Sequence, residues 1–172
     1  MTSAWPKTYP NPNPKQRGDL MSMLDLRLAQ AQILTLVWEQ TAARFGRDEA
    51  TAILAAALAD DARAAGAAFA RQAPHGPDLA HFATVLDRWR EGDALRIADV
   101  VLAETTLSFT VTDCAYARGY ADMGLPPDLI PLLSCVRDEP FAQGYSPHLS
   151  MHRPFTIAGG AAGCRFIFTW LA

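Results

Sequence analysis

The sequence predicts an α+β fold, in which N-terminal helices pack on a small antiparallel sheet of β-β-α-α-β-β order. Apolar residues recur at helical spacing through the first half of the chain. In the second half, residues 106–112 alternate apolar and polar side chains, as a half-buried strand does. A block of helices followed by a block of paired strands indicates α+β, because α/β folds alternate strand and helix throughout.

The first 18 residues are expected to form a flexible tail. Residues 1–18 carry four prolines with asparagines between them, and this composition opposes both helix and strand. Such a tail is either disordered or lies across a neighbouring subunit. The sequence is therefore compatible with a homo-oligomer. Residues 19–172 are expected to form a single domain, because no repeat and no second domain can be recognised in them.

Three helices are predicted in the first half of the chain. The first covers residues 19–45 and stops at Gly46, and the second covers about 48–71. After a break at residues 74–77, a third helix covers about 78–90. The buried stripe of the second helix is expected to be Ile53, Leu54, Ala57, Leu58 and Ala65.

The second half begins with two predicted strands, at about residues 98–104 and 106–112. Two short helices follow at 114–123 and about 126–136, the first closed by a glycine and the second opened by two prolines. The next segment is expected to be a loop because of Asp138, Pro140, Gly144 and Pro147.

The last two predicted strands, about 149–158 and 164–171, are joined by a five-residue turn with three glycines, which predicts a hairpin. Strand alternation puts Arg153 inward, near Cys164, and puts His152 on the opposite face. A charged group brought inward needs an acidic partner or an anionic ligand. The inner face of the last strand is predicted to carry Cys164, Phe166, Phe168 and Trp170.

Composition narrows the class of protein. Half of the residues are hydrophobic and 19% are charged, which is typical of a globular chain. A net charge of −3 does not indicate the basic surface with which proteins bind nucleic acid. We find no run of apolar residues long enough for a membrane helix and no signal-peptide pattern, so we expect a cytoplasmic protein. No phosphate loop, dinucleotide fingerprint or serine elbow is present, and no cofactor is predicted.

All three cysteines lie after residue 113, each beside a structural junction. Cys114 follows a strand and opens a predicted helix, Cys135 ends a helical run, and Cys164 begins the last strand. The positive end of a helix dipole stabilises a thiolate, so Cys114 is the first candidate nucleophile, although Asp113 beside it opposes ionisation. Core packing is the alternative interpretation for each cysteine, because free cysteine is among the most buried residue types.

A series of short motifs carries a family resemblance. They are Cys114-Ala115-Tyr116 with Tyr120, Gly124-Leu125-Pro126, Cys135-Val136-Arg137-Asp138, Phe141-Ala142-Gln143-Gly144-Tyr145, Arg153 with Thr156-Ile157, and Gly160 before Cys164-Arg165-Phe166-Ile167-Phe168. In this order they resemble the L-2-amino-thiazoline-4-carboxylic acid hydrolase family, over about residues 20–171. The resemblance implies a hydrolase that opens a sulfur-containing five-membered amidine ring on the way to cysteine.

The last motif departs from the family pattern Cys-Asp-Phe-Arg-Phe. Arg165 and Ile167 stand where the family has an acid and a base. By strand parity both residues face away from Cys164. The substitutions therefore indicate a changed contact on the outer face of the sheet, while the face that carries the Cys164 thiol keeps the family pattern.

Opening such a ring requires an attacking group, its activation, and a proton for the leaving atom. We expect Cys114 to attack, with Cys135 and Cys164 as pocket thiols. Asp138 is the candidate general base or acid, and a cap at the start of its turn is the alternative. Arg153 is expected to hold a substrate carboxylate through its two-donor fork, or alternatively to pair with an acid such as Asp138.

Tyr116 and His152 complete the predicted substrate-binding residues. Their alternatives are core packing for Tyr116 and a solvated or interface position for His152. The three cysteines with Asp138 or a histidine can also be interpreted as a zinc site. Their spacing contains no Cys-x-x-Cys pair, so no metal is predicted.

The sequence therefore predicts a hydrolase that opens a C–N bond in a small, carboxylated heterocycle by cysteine-centred chemistry. The partner is a small molecule, with no nucleic acid and no membrane. The alternative is a non-catalytic ligand-binding or thiol- or zinc-sensing module on the same scaffold, in which Arg165 and Ile167 mark lost catalysis.

Overall fold

The structure, a computed structural model, describes residues 22–171, so the predicted tail over residues 1–18 lies outside the described part of the chain. Four strands form one antiparallel sheet of order β1-β2-β4-β3. Helices combined with this sheet confirm the predicted α+β class. The strands are β1 Leu95–Leu102, β2 Thr106–Cys114, β3 Leu149–His152 and β4 Cys164–Trp170.

Two long helices form the N-terminal part, as predicted. Helix α1 covers Met23–Phe45 and helix α2 covers Arg47–Ala70. Ser22 caps α1, because its hydroxyl accepts a hydrogen bond from the backbone N–H of Asp25 while the Asp25 carboxylate accepts one from the backbone N–H of Ser22. Gly46 has a φ of 90°, a conformation that glycine adopts without strain, and it separates the two helices.

The buried face of α2 differs from the predicted stripe. Leu54 and Leu58 are buried as expected, but Ile53, Ala57 and Ala65 are exposed. A helix so rich in alanine has little contrast between its faces, so packing against its neighbours decides its rotation. The residues that it buries are Ala50, Leu54, Leu58, Ala62, Gly66 and Phe69.

The predicted third helix forms as two short helices, α3 Leu79–Ala83 and α4 Val85–Arg90, which meet at Thr84. Asp78 caps α3, because its carboxylate accepts a hydrogen bond from the backbone N–H of His81. The large apolar side chains of these two helices are buried or half-buried: Leu79, Phe82, Val85, Leu86 and Trp89.

Three helices follow β2, where two were predicted. They are α5 Ala115–Asp122, α6 Leu129–Leu133 and α7 Asp138–Tyr145, with a 3₁₀ turn at Cys135–Arg137 before α7. The predicted loop at α7 was therefore wrong, and the order is β-β-α-α-α-β-β. Pro140 does not break α7, because it lies in the first turn, where its missing N–H has no helical partner to lose.

Close packing of α2 against α7 explains the glycine that suggested a loop. A Cβ at Gly144 would overlap the backbone of Arg63 in α2, and a Cβ at Gly66 would overlap the carbonyl oxygen of Phe141 in α7. The two glycines therefore let the helix backbones touch, which fixes the position of α7 beside the sheet.

The last two strands do not form the predicted hairpin with a five-residue turn. Strand β3 ends at His152, because Pro154 has no N–H to donate to a ladder. Residues 153–163 join β3 to β4 without strand structure, and they include a single 3₁₀ turn. Phe155, which would share the inner face with Arg153 if the strand continued, is exposed.

The sheet has one buried face and one outer face, as the alternation predicts. On the outer face, the guanidinium of Arg165 donates to the hydroxyl of Ser108 at 3.0 Å and to that of Thr110 at 3.2 Å. Arg165 thus makes the outer contact that its departure from the family pattern suggested. The inner face carries Leu107, Phe109, Val111, Cys164, Phe166 and Phe168.

The buried residues form two clusters. The sheet cluster contains the inner face of the sheet together with residues of α3, α4, α7 and the end of α2. The helix cluster contains residues of α1, α2, α5 and α6. None of the described helices combines the length and the apolar character needed to cross a membrane.

Candidate functional site

A cavity of about 650 Å³ lies where the sheet cluster meets the helix cluster. Pockets of roughly 300–1,000 Å³ suit small-molecule ligands. One part of its wall is apolar and largely aromatic, formed by Phe69, Val85, Trp89, Phe141 and Phe166. The polar part contains six of the seven predicted site residues, namely Cys114, Cys135, Cys164, Asp138, Arg153 and Tyr116.

Asp138 and Arg153 form an ion pair in this wall. Asp138 is the first residue of α7, and Arg153 directly follows β3. Arg153 also donates to the carbonyl oxygen of Cys135 at 2.9 Å, and its guanidinium lies 5.1 Å from the ring centroid of Phe166. The structure therefore contains the acid pair that was the alternative interpretation of Arg153.

This arrangement occupies the guanidinium of Arg153. Both terminal nitrogens donate to protein oxygens, and the side chain is only 12% exposed. The remaining Nε is buried and has no hydrogen-bond partner among the described residues. A two-donor fork for a ligand carboxylate is therefore not free at Arg153.

Cys114 is the last residue of β2 and the N-cap of α5. Its Sγ accepts a hydrogen bond from the backbone N–H of Ala117 at 3.5 Å. Burial raises the pKa of the Cys114 thiol, and this effect exceeds the lowering by the backbone N–H groups at the helix start. The thiol is therefore neutral at pH 7, contrary to the expectation that the helix dipole makes it ionise readily.

The other two thiols have different surroundings. Cys164 Sγ accepts a hydrogen bond from the backbone N–H of Ile157 at 3.1 Å, and burial raises its pKa although Arg153 lowers it. Burial and the charge of Asp138 raise the pKa of Cys135 to about 11. Cys135 is therefore the thiol that ionises least readily.

Asp138 is the acidic group that the three thiols share. Its charge contributes to the raised pKa of Cys114, Cys135 and Cys164 alike. Burial raises the pKa of Asp138 from 3.8 to about 6, against the opposing effect of Arg153. A carboxyl group with a pKa near neutrality can accept and return a proton at pH 7.

The remaining predicted residues divide between the cavity and the surface. Tyr116 lines the cavity from α5. His152 is exposed and is absent from the cavity wall, because strand parity turns it away from the inner face. The structure does not bring His152 to the other site residues. Within residues 22–171, no group of three or more His, Cys, Asp and Glu side chains is arranged to hold a metal ion.

Part of the cavity wall was not predicted from the sequence, and this part comes mainly from the first four helices. Arg27 of α1, Arg88 and Trp89 of α4, and Arg137 before α7 also line the cavity. One sequence signal was present, since Arg27 directly precedes Leu28, an apolar residue at helical spacing in the first predicted helix. An arginine at the edge of an apolar helix face can extend its guanidinium into a neighbouring cavity.

A family model described as L-2-amino-thiazoline-4-carboxylic acid hydrolase matches residues 27–168. The chain belongs to this family. The match covers all seven helices except the start of α1, and it ends within β4. A search of curated protein sequences finds no significant match to this family member.

Among solved structures, this hydrolase-family chain is similar to the phenol-responsive sensory domain of the transcription activator PoxR, in a crystal structure with phenol. The TM-score is 0.53 at 10% sequence identity, and the similarity covers 84% of this chain and 74% of that chain. At this identity the similarity concerns the fold.

Proposed function

We propose that the protein is a hydrolase that opens a C–N bond in a small carboxylated heterocycle, such as a cyclic amidine or a thiazoline, through a cysteine thiol. The observation that carries the proposal is one cavity wall that holds three thiols beside an acidic group whose pKa is raised to about 6. Membership in a family described as a thiazoline carboxylic acid hydrolase supports the reaction class.

Cys114 is the proposed nucleophile. Its Sγ already accepts a backbone N–H at the start of α5, and a thiolate at this position is stabilised by that N–H and by the helix dipole. Because burial keeps the thiol neutral, a base must remove its proton during the attack. Asp138 is the proposed base, since it is the acidic group whose charge acts on all three thiols.

The proposed reaction has two halves. In the first, the Cys114 proton passes to Asp138, Sγ bonds to the ring carbon that lies between two heteroatoms, and the C–N bond breaks as the ring nitrogen takes the proton from Asp138. In the second, water adds to the same carbon and gives a proton to Asp138. The C–Sγ bond then breaks, and Cys114 recovers its proton from Asp138. The net change is the addition of one water molecule.

Arg153 is proposed as a positioning residue in this scheme. Its two terminal nitrogens hold the Asp138 carboxylate and the carbonyl oxygen of Cys135, so it orients the base against the thiols. The same positive charge opposes the effect of burial on the pKa of Asp138. Free thiols of this kind persist in a reducing compartment, and we propose that the protein acts in the cytoplasm.

A small-molecule sensor without catalysis is the second candidate. Three observations favour it: the pKa of every thiol is raised, the cavity has a large aromatic part, and the similar PoxR domain is described as phenol-responsive. A sensor would bind its ligand and release it unchanged.

The test is incubation of the purified chain with 2-aminothiazoline-4-carboxylate, followed by mass spectrometry. A hydrolase forms a product heavier by one water, at a rate that depends on the protein concentration and is abolished by prior alkylation of the thiols. Saturable binding without product supports the sensor and overturns the hydrolase. If neither binding nor product is observed, both assignments fail for this substrate.

A further inference from the structure

A second polar cluster in the cavity wall has no part in the proposed chemistry. It is formed by the guanidinium of Arg27 from α1 and the phenol groups of Tyr116 and Tyr120 from α5. The charge of Arg27 lowers the pKa of both tyrosines, so the three groups act on one another electrostatically.

We propose that Arg27, with the hydroxyls of Tyr116 and Tyr120, is the site that binds the carboxylate of the ligand. The inference rests on the proposed function in one respect, namely that the ligand is a carboxylated heterocycle. It assigns the anion to a different arginine from Arg153, which the sequence alone favoured.

The four arginines of the cavity differ in their partners. Arg153 is paired with Asp138, and Arg137 is paired with Asp61. Arg88 donates to Gln72, and its guanidinium lies 4.9 Å from the ring centroid of Phe69. The guanidinium of each of these three arginines is therefore paired with, or hydrogen-bonded to, a side chain outside its own helical turn.

Arg27 has no such carboxylate partner among residues 22–171. The hydrogen bond that its guanidinium makes to these residues goes to the amide oxygen of Gln30 on its own helix, at 2.8 Å. Burial and the like charge of Arg137 lower the pKa of Arg27 and outweigh the opposing charge of Asp61, which means that its surroundings on balance disfavour the positive charge. An anion bound against the guanidinium removes this penalty, so the site is complementary to a carboxylate.

Tyr120 supplies the second, independent observation. It is only 1% exposed, and it lines both the cavity and a small void beside Arg27. Burial raises the pKa of Tyr120 to about 12, so it remains a neutral hydrogen-bond donor at pH 7. A neutral phenol O–H in a cavity wall can donate a hydrogen bond to a ligand oxygen.

The packing of α1 on α5 brings these groups together. A Cβ at Gly119 would overlap the side chain of Leu28, so the glycine allows α1 to approach α5 closely. Arg27 precedes Leu28, and Tyr116 and Tyr120 are one helical turn apart on either side of Gly119, so their side chains project from the same region. A void of about 10 Å³, the size of one water molecule, is lined by Arg27, Tyr120 and neighbouring residues.

The test uses 2-aminothiazole-4-carboxylate, whose aromatic ring resists opening, and its uncharged 4-carboxamide. Calorimetry on the full chain is expected to show that the wild type binds the carboxylate at least about tenfold more tightly than the carboxamide. Arg27→Gln is expected to remove this preference by weakening carboxylate binding alone. Tyr120→Phe is expected to weaken carboxylate binding by about tenfold, because one hydrogen bond to a charged group is lost. Arg27→Lys is expected to give an intermediate loss, since it keeps the charge without the fork.

Arg88→Gln is the matched control, because Arg88 lines the same cavity. It is expected to keep the preference for the carboxylate. The proposal is overturned if the wild type binds both probes equally or binds neither, or if folded Arg27→Gln keeps the preference. It is also overturned if Arg88→Gln loses the preference to the same extent. Failure of the proposed hydrolase gives a different result. If the protein prefers the carboxylate probe but does not open the thiazoline ring, only the catalytic assignment is wrong.

Discussion

At the scale of single residues, the state of Asp138 decides what the thiols can do. Burial raises its pKa to about 6 while Arg153 holds its carboxylate in place. A free carboxylate with its ordinary pKa would be a weak base toward a thiol whose own pKa is raised. Because its pKa is raised by burial, Asp138 is a stronger base toward the Cys114 thiol than an exposed aspartate would be.

The first prediction concerns the pH dependence of activity. The base form of Asp138 is needed, so kcat/KM should rise with pH through about 6 and then level off. Asp138→Asn should remove this limb and lower kcat/KM by roughly 10²–10⁴-fold. The measurement is a pH profile of both proteins. A limb that persists unchanged in the variant would assign the titration to another group.

The same pKa has a consequence for stability. Because the pKa of Asp138 is higher in the folded state than its ordinary value of 3.8, the protonated folded form is favoured. This contribution is fully present below about pH 4 and is lost as the pH rises through about 6. Denaturation at several pH values should therefore show that the wild type loses stability relative to Asp138→Asn across this window.

A further prediction at the scale of single residues concerns Arg153. Arg153→Gln leaves the largely buried Asp138 without its partner, which should destabilise the protein by about 3–5 kcal/mol at pH 7. The double variant Arg153→Gln with Asp138→Asn should recover much of the loss, because no charge is then buried alone. Chemical denaturation measures both. A folded Arg153→Gln with normal stability and a greatly raised KM would instead support a role in binding the substrate.

At the scale of secondary-structure elements, the sequence predicted most helices and failed where packing overrides local signals. Pro140 and Gly144 suggested a loop, yet they belong to α7, because proline is tolerated in a first turn and the glycine is needed for contact with α2. The β3–β4 connection failed for a different reason. The glycines at 159–163 indicated a turn, but Pro154 had already ended the strand.

The prediction at this scale tests the contact between α2 and α7. Helix propensity alone would make Gly66→Ala stabilising by about 1 kcal/mol. The added Cβ would overlap the backbone of Phe141, so we expect a net loss of about 2–4 kcal/mol instead. Ala64→Gly, at an exposed position of the same helix, is the control and should cost only about 1 kcal/mol. Thermal denaturation would refute the packing argument if Gly66→Ala were more stable than the wild type.

At the scale of the whole molecule, the site is made by elements that are distant in the sequence. Strand parity predicted that Arg153 approaches Cys164, and the family motifs identified six residues of the cavity wall. The contribution of α1 could not be predicted, because its apolar residues are spread around the helix and no local pattern shows which side faces α5. Arg27 lies close to Tyr116 and Tyr120 because α1 packs on α5, and this tertiary contact has no signal in the local sequence.

The central claim is that a cysteine of this cavity attacks the substrate. The most direct measurement is the turnover of 2-aminothiazoline-4-carboxylate by Cys114→Ser, Cys135→Ser and Cys164→Ser. We expect Cys114→Ser to lose turnover by at least about 10³-fold with its melting temperature nearly unchanged, because a hydroxyl of similar size does not form the nucleophilic anion. Cys135→Ser should keep most of the turnover. Full activity in folded Cys114→Ser would contradict the assignment of the nucleophile, and full activity in all three variants would contradict cysteine-centred catalysis.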